Sequence, residues 1–215
     1  MRSPTHPEEA RHGQRWFWLA CASEAALGGL AVGLLWWQDR PPGQLWRMNL
    51  QTVALGVGAM LPLFLFFHRA MTISTGPLLP VRRFLEEQLR PTLRSWSVPQ
   101  LAIVALLAGV GEELLFRGAI QGWVGVRWGS ALGLVTASVL FGAAHSVNGP
   151  YALVAGVMGM YLGLLLEVSG SLLCPVLTHA GYDFVALWWF LSPAYRPLTE
   201  TVANESPNDG GPVPG

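Results

Sequence analysis

The stretch Val98-Pro-Gln-Leu-Ala-Ile-Val-Ala-Leu-Leu-Ala-Gly-Val-Gly-Glu-Glu-Leu-Leu-Phe-Arg-Gly118 decides how the chain is read. An apolar run of span length leads into two adjacent glutamates, and an arginine follows four residues after the second. A run of about 17–25 mostly apolar residues with few charges is the signature of a membrane-crossing helix. Inside such a helix an ionisable side chain costs at least about 3 kcal/mol, so it marks a functional position by default. On a helix Glu113 and Arg117 share one face and can pair. Glu112 points about 100° away from Glu113, toward a different neighbour.

The rest of the chain agrees with a bilayer environment. Of 215 residues 52% are hydrophobic and only 12% are charged, about half the charge of an ordinary soluble domain. A soluble protein of this size could not cover its surface with so few polar groups. The formal net charge is zero, which leaves no basic field for nucleic acid. Every basic residue is arginine. Cys21 and Cys174 lie in apolar runs without metal-type spacing and read as small buried hydrophobes.

The fold expected is an all-α bundle of about six spans. They fall near 16–37, 50–71, from Val98 onward, 130–147, 151–167 and 171–192. Trp16, Trp18, Trp36, Trp37, Trp96, Trp128, Trp188 and Trp189 lie at or near span ends, where amphipathic rings prefer to sit. The polar start before Trp16 and the absence of a small-residue cleavage site favour a retained first span over a signal peptide. Residues 78–96 mix charge with Leu and Phe at helical spacing, as in a helix lying in the interface. Three regions follow. They are a two-span region with the interfacial helix over 1–97, a helical core over 98–192 and a disordered tail over 193–215, polar and rich in Pro and Gly. Arginine bias puts the N-terminus and the second loop in the cytoplasm, and six spans return the C-terminus there.

Two further polar groups interrupt apolar runs: Phe141-Gly-Ala-Ala-His145 and His179-Ala-Gly-Tyr-Asp183. If the third and fourth spans form a hairpin turning at Gly129, Glu113 and His145 each lie about 16 residues, roughly 24 Å, from the turn. They are therefore level. His179, about nine residues past Gly170, matches that depth only if its turn sits deeper. A carboxylate beside an imidazole can hold a water and take its proton, and a second His can donate to an oxyanion, so the set suits amide hydrolysis. Alternatively His145, His179 and Glu112 would bind a divalent metal such as zinc. The usual HExxH zinc helix is absent. Asn148 reads as a cap for the turn at Gly149-Pro150 and a candidate supporting residue. Glu24 stands unexplained in the first span. His68 and Arg69 read as snorkelling side chains at the end of the second.

At these residues the chain resembles the CPBP family of intramembrane proteases, which includes type II CAAX prenyl endopeptidases. Glu112, Glu113 and Arg117 match its E-E-x-x-x-R motif, and Phe141 and His145 its F-x-x-x-H motif. His179 matches the third motif, H-x-x-x-N, with Asp183 in the place of Asn. The similarity covers about 98–190. It implies a bacterial integral membrane endopeptidase acting on a peptide or lipidated protein, metal-dependent or not. Glu112 would be the base, His145 its water-holding partner and His179 an oxyanion donor, with Glu113, Arg117 and Phe141 in support. An ionised Asp183 cannot donate as Asn does, so it would orient His179 or hold a metal. The competing expectation is a non-catalytic immunity or scaffold protein of the same fold.

Overall fold

The computed structural model describes residues 7–199, and those residues form helices without strands. Helix α1 (Pro7–Trp37) is followed by a 3₁₀ turn (Pro42–Leu45), then α2 (Leu50–Gly58) and α3 (Met60–Thr72). A lateral segment holds α4 (Leu79–Phe84), a π-helical stretch (Leu85–Leu89) and α5 (Arg90–Leu93). The core consists of α6 (Val98–Glu113) running into a π-helix (Leu114–Gln121) and α7 (Gly122–Trp128), then α8 (Ser130–Ala144), α9 (Gly149–Ser169) and α10 (Leu173–Leu191).

Local chemistry sets these boundaries. Gln100 Oε1 accepts from the Ser97 N–H at 2.9 Å to open α6, with Pro99 in its first turn. Asn49 caps α2 and Asn148 caps α9, each accepting the backbone N–H three residues on. Gly129 turns α7 into α8 at φ +98°, a conformation a Cβ would strain. The third and fourth spans are therefore the hairpin expected, joined by a single residue.

Among the described residues four stretches are long and apolar enough to cross a membrane: Arg11–Trp37, Leu50–Thr72, Val98–Trp128 and Gly149–Ser169. Among the described residues the other two expected spans fall short of that measure. Helix α8 has 15 residues, about 22 Å against a hydrocarbon core of about 30 Å. Helix α10 carries His179, Tyr182 and Asp183 in its middle, which lowers its apolarity. Helix α8 packs along α9 and α10 along α6 and α2, while Leu132, Val135, Val139 and Leu140 of α8 face outward. Trp36, Trp37, Trp128 and Trp188 are exposed at or near helix ends, and Trp16 and Trp18 are exposed further inside α1, toward the start of its apolar stretch. Trp96 differs: it is buried on Phe17 and donates to Gly13 O at 2.9 Å.

The lateral segment turns its apolar side toward the bundle, burying Val81, Leu85 and Leu93. Arg82 is fully buried with them, donating to Glu86 Oε1 (2.7 Å), Ile73 O (3.0 Å) and Arg196 O (3.0 Å). The start of the supposed disordered tail is accordingly structured. Tyr195 is buried against Phe190 and donates to Glu86, and the Leu198 N–H donates to the same carboxylate at 3.0 Å. An aromatic and an arginine within the tail give it partners that its overall composition concealed. Residues 200–215 lie outside the described residues.

Candidate active site

The polar groups of the core helices converge where α6 ends. Glu112 and Glu113 occupy the last turn of α6, immediately before the helix widens into its π-helical stretch. A π-helical stretch re-aims side chains and is frequent at functional sites. Glu113 Oε2 meets Arg117 Nε at 3.2 Å with both side chains fully buried. Glu113 Oε1 meets His179 Nδ1 at 2.9 Å, and His179 Nε2 faces Asp183 Oδ2 at 3.4 Å. These four residues form one chain of charged and hydrogen-bonded groups, which is how buried charge is tolerated.

Glu112 stands apart from that chain, on the side its 100° offset requires. Its Oε2 is buried without a hydrogen-bond partner and lies 3.7 Å from His145 Nε2. His145 ends α8, half-buried, and its Nδ1 lies 2.9 Å from Phe141 O. A carbonyl oxygen only accepts, so this contact assigns the proton to Nδ1 and leaves a lone pair on Nε2. Two acceptors thus face each other across a gap too long for a direct hydrogen bond. A water molecule, with one proton for each, is the species that satisfies both.

Phe141 is the hub. It stacks on His145 with centroids 4.5 Å apart, meets His179 edge-on at 5.9 Å and carries the Arg117 guanidinium at 4.5 Å. A cavity of about 250 Å³ opens over Glu112, His145, His179 and Asp183. Its remaining walls are mostly apolar, from Phe66, Phe67 and Met71 of α3, Leu85 of the lateral segment, Met158 of α9 and Leu187 of α10.

His179 reaches this depth because the turn before α10 is tucked into the bundle. Ser171 and Leu172 are fully buried, Leu172 N–H donates to Leu45 O at 2.8 Å, and Ser171 Oγ donates to Arg47 O at 3.0 Å. Counting from Gly170 as a surface turn therefore underestimated the depth of His179. Asn148 is spent on the α9 cap and does not line the cavity. Glu24 was left without a partner by the sequence. Its backbone carbonyl would lie 2.7 Å from a Cβ at Gly111, and its side chain is within electrostatic range of His179, Asp183 and Glu112. The signal that singles it out is a carboxylate in an otherwise apolar span.

A metal fits this arrangement poorly. Among the described residues no three His, Cys, Asp or Glu side chains converge as ligands. To offer a lone pair, His179 would have to leave one of the two carboxylates that flank its nitrogens.

Comparison with known proteins bears on the same residues. Residues 94–185 match the family of type II CAAX prenyl endopeptidase Rce1-like proteins. The matched region contains the three motifs, from Glu112 to Asp183. Within the chain, 92 residues are 32% identical to "Uncharacterized protein YpbD" of Bacillus subtilis (strain 168). That similarity covers 41% of this chain and 44% of the relative, so the chain spans less than half the length of the curated relative it matches. No solved structure matches.

Proposed function

We propose that the protein is an intramembrane endopeptidase that hydrolyses a peptide bond of a CAAX-type or related substrate close to the membrane surface. The observation that carries this reading is the pairing of the Glu112 carboxylate with the His145 Nε2 lone pair at 3.7 Å beside an otherwise apolar cavity. A water donating to both has its oxygen free to attack a carbonyl carbon. Glu112 takes the water's proton as the C–O bond forms and returns it to the leaving nitrogen as the C–N bond breaks. His179 is held at Nδ1 by Glu113, and a proton between its Nε2 and Asp183 Oδ2 is the donor for the developing oxyanion. This gives Asp183 a use in the position where the resembled motif has Asn. Glu113 and Arg117 fix His179 in place, and Phe141 fixes His145.

The test is Glu112→Gln and His145→Ala in the native membrane, read by comparing peptide termini with the wild type. Each variant should lose cleavage by about 10²–10⁴-fold, the usual weight of a general base, while inserting and melting like the parent. Undiminished cleavage by both would refute the proposal, and a phenotype that survives Glu112→Gln would instead indicate a non-catalytic scaffold.

A further inference from the structure

A second cavity, of about 400 Å³, lies at the other end of the core. Tyr151 lines the first cavity and Glu167 the second. On α9 the first cavity reaches Met158 and the second begins at Leu166, eight residues or about 12 Å further on. The second cavity is lined by Arg40, Arg47, Arg117, Gln121 and Glu167, a polar set for a membrane bundle.

Its inner wall is a ladder between two helices. Glu113, Arg117 and Gln121 follow one another at intervals of four on one side. Gly159, Gly163 and Glu167 do the same on α9. Arg117 Nη2 donates to Gly159 O at 2.8 Å, and Gln121 Nε2 donates to Gly163 O at 3.2 Å and to Glu167 Oε1 at 2.9 Å. Glycine keeps both rungs close: a Cβ at 159 would lie 3.3 Å from Arg117 Nη2, and one at 163 would lie 2.7 Å from Gln121 Oε1 and push that amide aside. Four buried polar atoms of the ladder lack a hydrogen-bond partner: Arg117 Nε and Glu113 Oε2, which face each other as an ion pair at 3.2 Å, and a donor on Arg117 Nη1 and an acceptor on Gln121 Oε1, which face no opposite charge. An anion could satisfy only the donor and a cation only the acceptor. Water satisfies both.

We propose that this cavity is a hydrated inlet that brings water from the end of the bundle opposite the first cavity as far as Arg117. Glu167 and Arg47 are exposed at its mouth, and Arg117 at its inner end touches Glu113, which holds His179. The inlet thereby offers a partner to Arg117 Nη1, which neither the Glu113 carboxylate nor the Gly159 carbonyl reaches. It does so whether or not the protein hydrolyses peptides.

Accessibility to a permanently charged thiosulfonate tests the proposal in membranes. The background is full-length Cys21→Ala/Cys174→Ala, with Gly125→Cys near the mouth, Gln121→Cys one turn deeper and lipid-facing Leu164→Cys as control. A Cβ at 125 meets nothing closer than 3.6 Å, so that variant should fold. The expected result is labelling at 125 and 121 and at least ten-fold slower labelling at 164. Reaction at 121 only after denaturation, with 125 labelled or not, would overturn the inlet. In the unmodified protein, brief hydroxyl-radical exposure should oxidise Leu172, which is fully buried yet lines the cavity. An unmodified Leu172 beside oxidised surface residues would overturn it as well.

Discussion

Gly109→Ala should dismantle the candidate site without altering any of its side chains. Gly109 lies one turn before Glu113 on α6 and faces α10 beside His179. A Cβ at 109 would stand 2.7 Å from Ala180 Cβ, 2.8 Å from Ala180 N and 3.0 Å from Ala180 Cα. Carbon atoms prefer separations of about 3.5–4.0 Å, so α6 and α10 must part by about 1 Å. No flexible side chain can absorb the strain, because the obstructing atoms are backbone and a methyl. The His179–Glu113 contact starts at 2.9 Å. Widened by about 1 Å it exceeds hydrogen-bond length. Overpacking costs about 1–3 kcal/mol and stranded buried partners about 1–3 more, giving roughly 2–6 kcal/mol in all. A displacement of about 1 Å at reacting groups also lowers turnover by about 10²-fold. Thermal unfolding in detergent, followed by tryptophan fluorescence, reads the first quantity, and peptide-terminus comparison reads the second. Gly29→Ala is the control: a Cβ there meets nothing within 4 Å, and replacing a mid-helix glycine should be neutral or stabilise by about 0.5–1 kcal/mol. If Gly109→Ala melts and cleaves like the parent while Gly29→Ala behaves as expected, the close approach of α6 and α10 is not what holds the site.

Two further outcomes follow from charge placement. Burial pushes the Glu86 carboxyl up, but hydrogen bonds from Tyr195, from the Leu198 N–H and from Arg82 outweigh it and hold the group below its ordinary value. A depressed folded-state value contributes stability that is present above the unfolded value, about 4.3, and is lost as the pH falls through the folded one. Amide exchange at Leu198, corrected for intrinsic rate, should therefore lose protection below about pH 4, and at neutral pH in Glu86→Gln; protection unchanged in both would refute the contact. Glu24→Leu should raise the unfolding free energy by about 1–3 kcal/mol, because it removes a buried carboxylate oxygen that has no hydrogen-bond partner. A lower melting temperature would show that Glu24 is held by something stronger than its surroundings suggest.

How far the sequence carried differs by residue, for physical reasons. The level of Glu112 with His145 was legible because a hairpin with a one-residue turn at Gly129 fixes depth by counting. The i, i+4 pairing of Glu113 with Arg117 was legible because helix geometry alone sets it. His179 was misjudged in depth because the turn before α10 is buried by hydrogen bonds to Leu45 and Arg47, far away in sequence. Four of the expected spans have the length and apolarity to cross a membrane, whereas α8 is shorter and α10 is interrupted by polar side chains. The order of residues 193–199 depends on Glu86 and Arg82, more than a hundred positions away, which no local composition reveals.

The largest omission was the ladder. Arg117 was read as the partner of Glu113 alone, which takes up one edge of a guanidinium that has five N–H donors. In lipid each remaining donor needs an acceptor, and nothing on its own helix supplied one. The answer lay on α9, where the lack of a Cβ at Gly159 leaves room for the guanidinium to reach its carbonyl. The small residues of α9 therefore help to hold the buried polar side chains that follow α6. They let helices approach closely enough for backbone carbonyls to act as ligands for buried side chains. A glycine at a four-residue interval from another, opposite an arginine and a glutamine at the same interval, is a pairing that sequence can reveal once both helices are known to be neighbours. Read alone, Gly159 and Gly163 are indistinguishable from ordinary packing glycines.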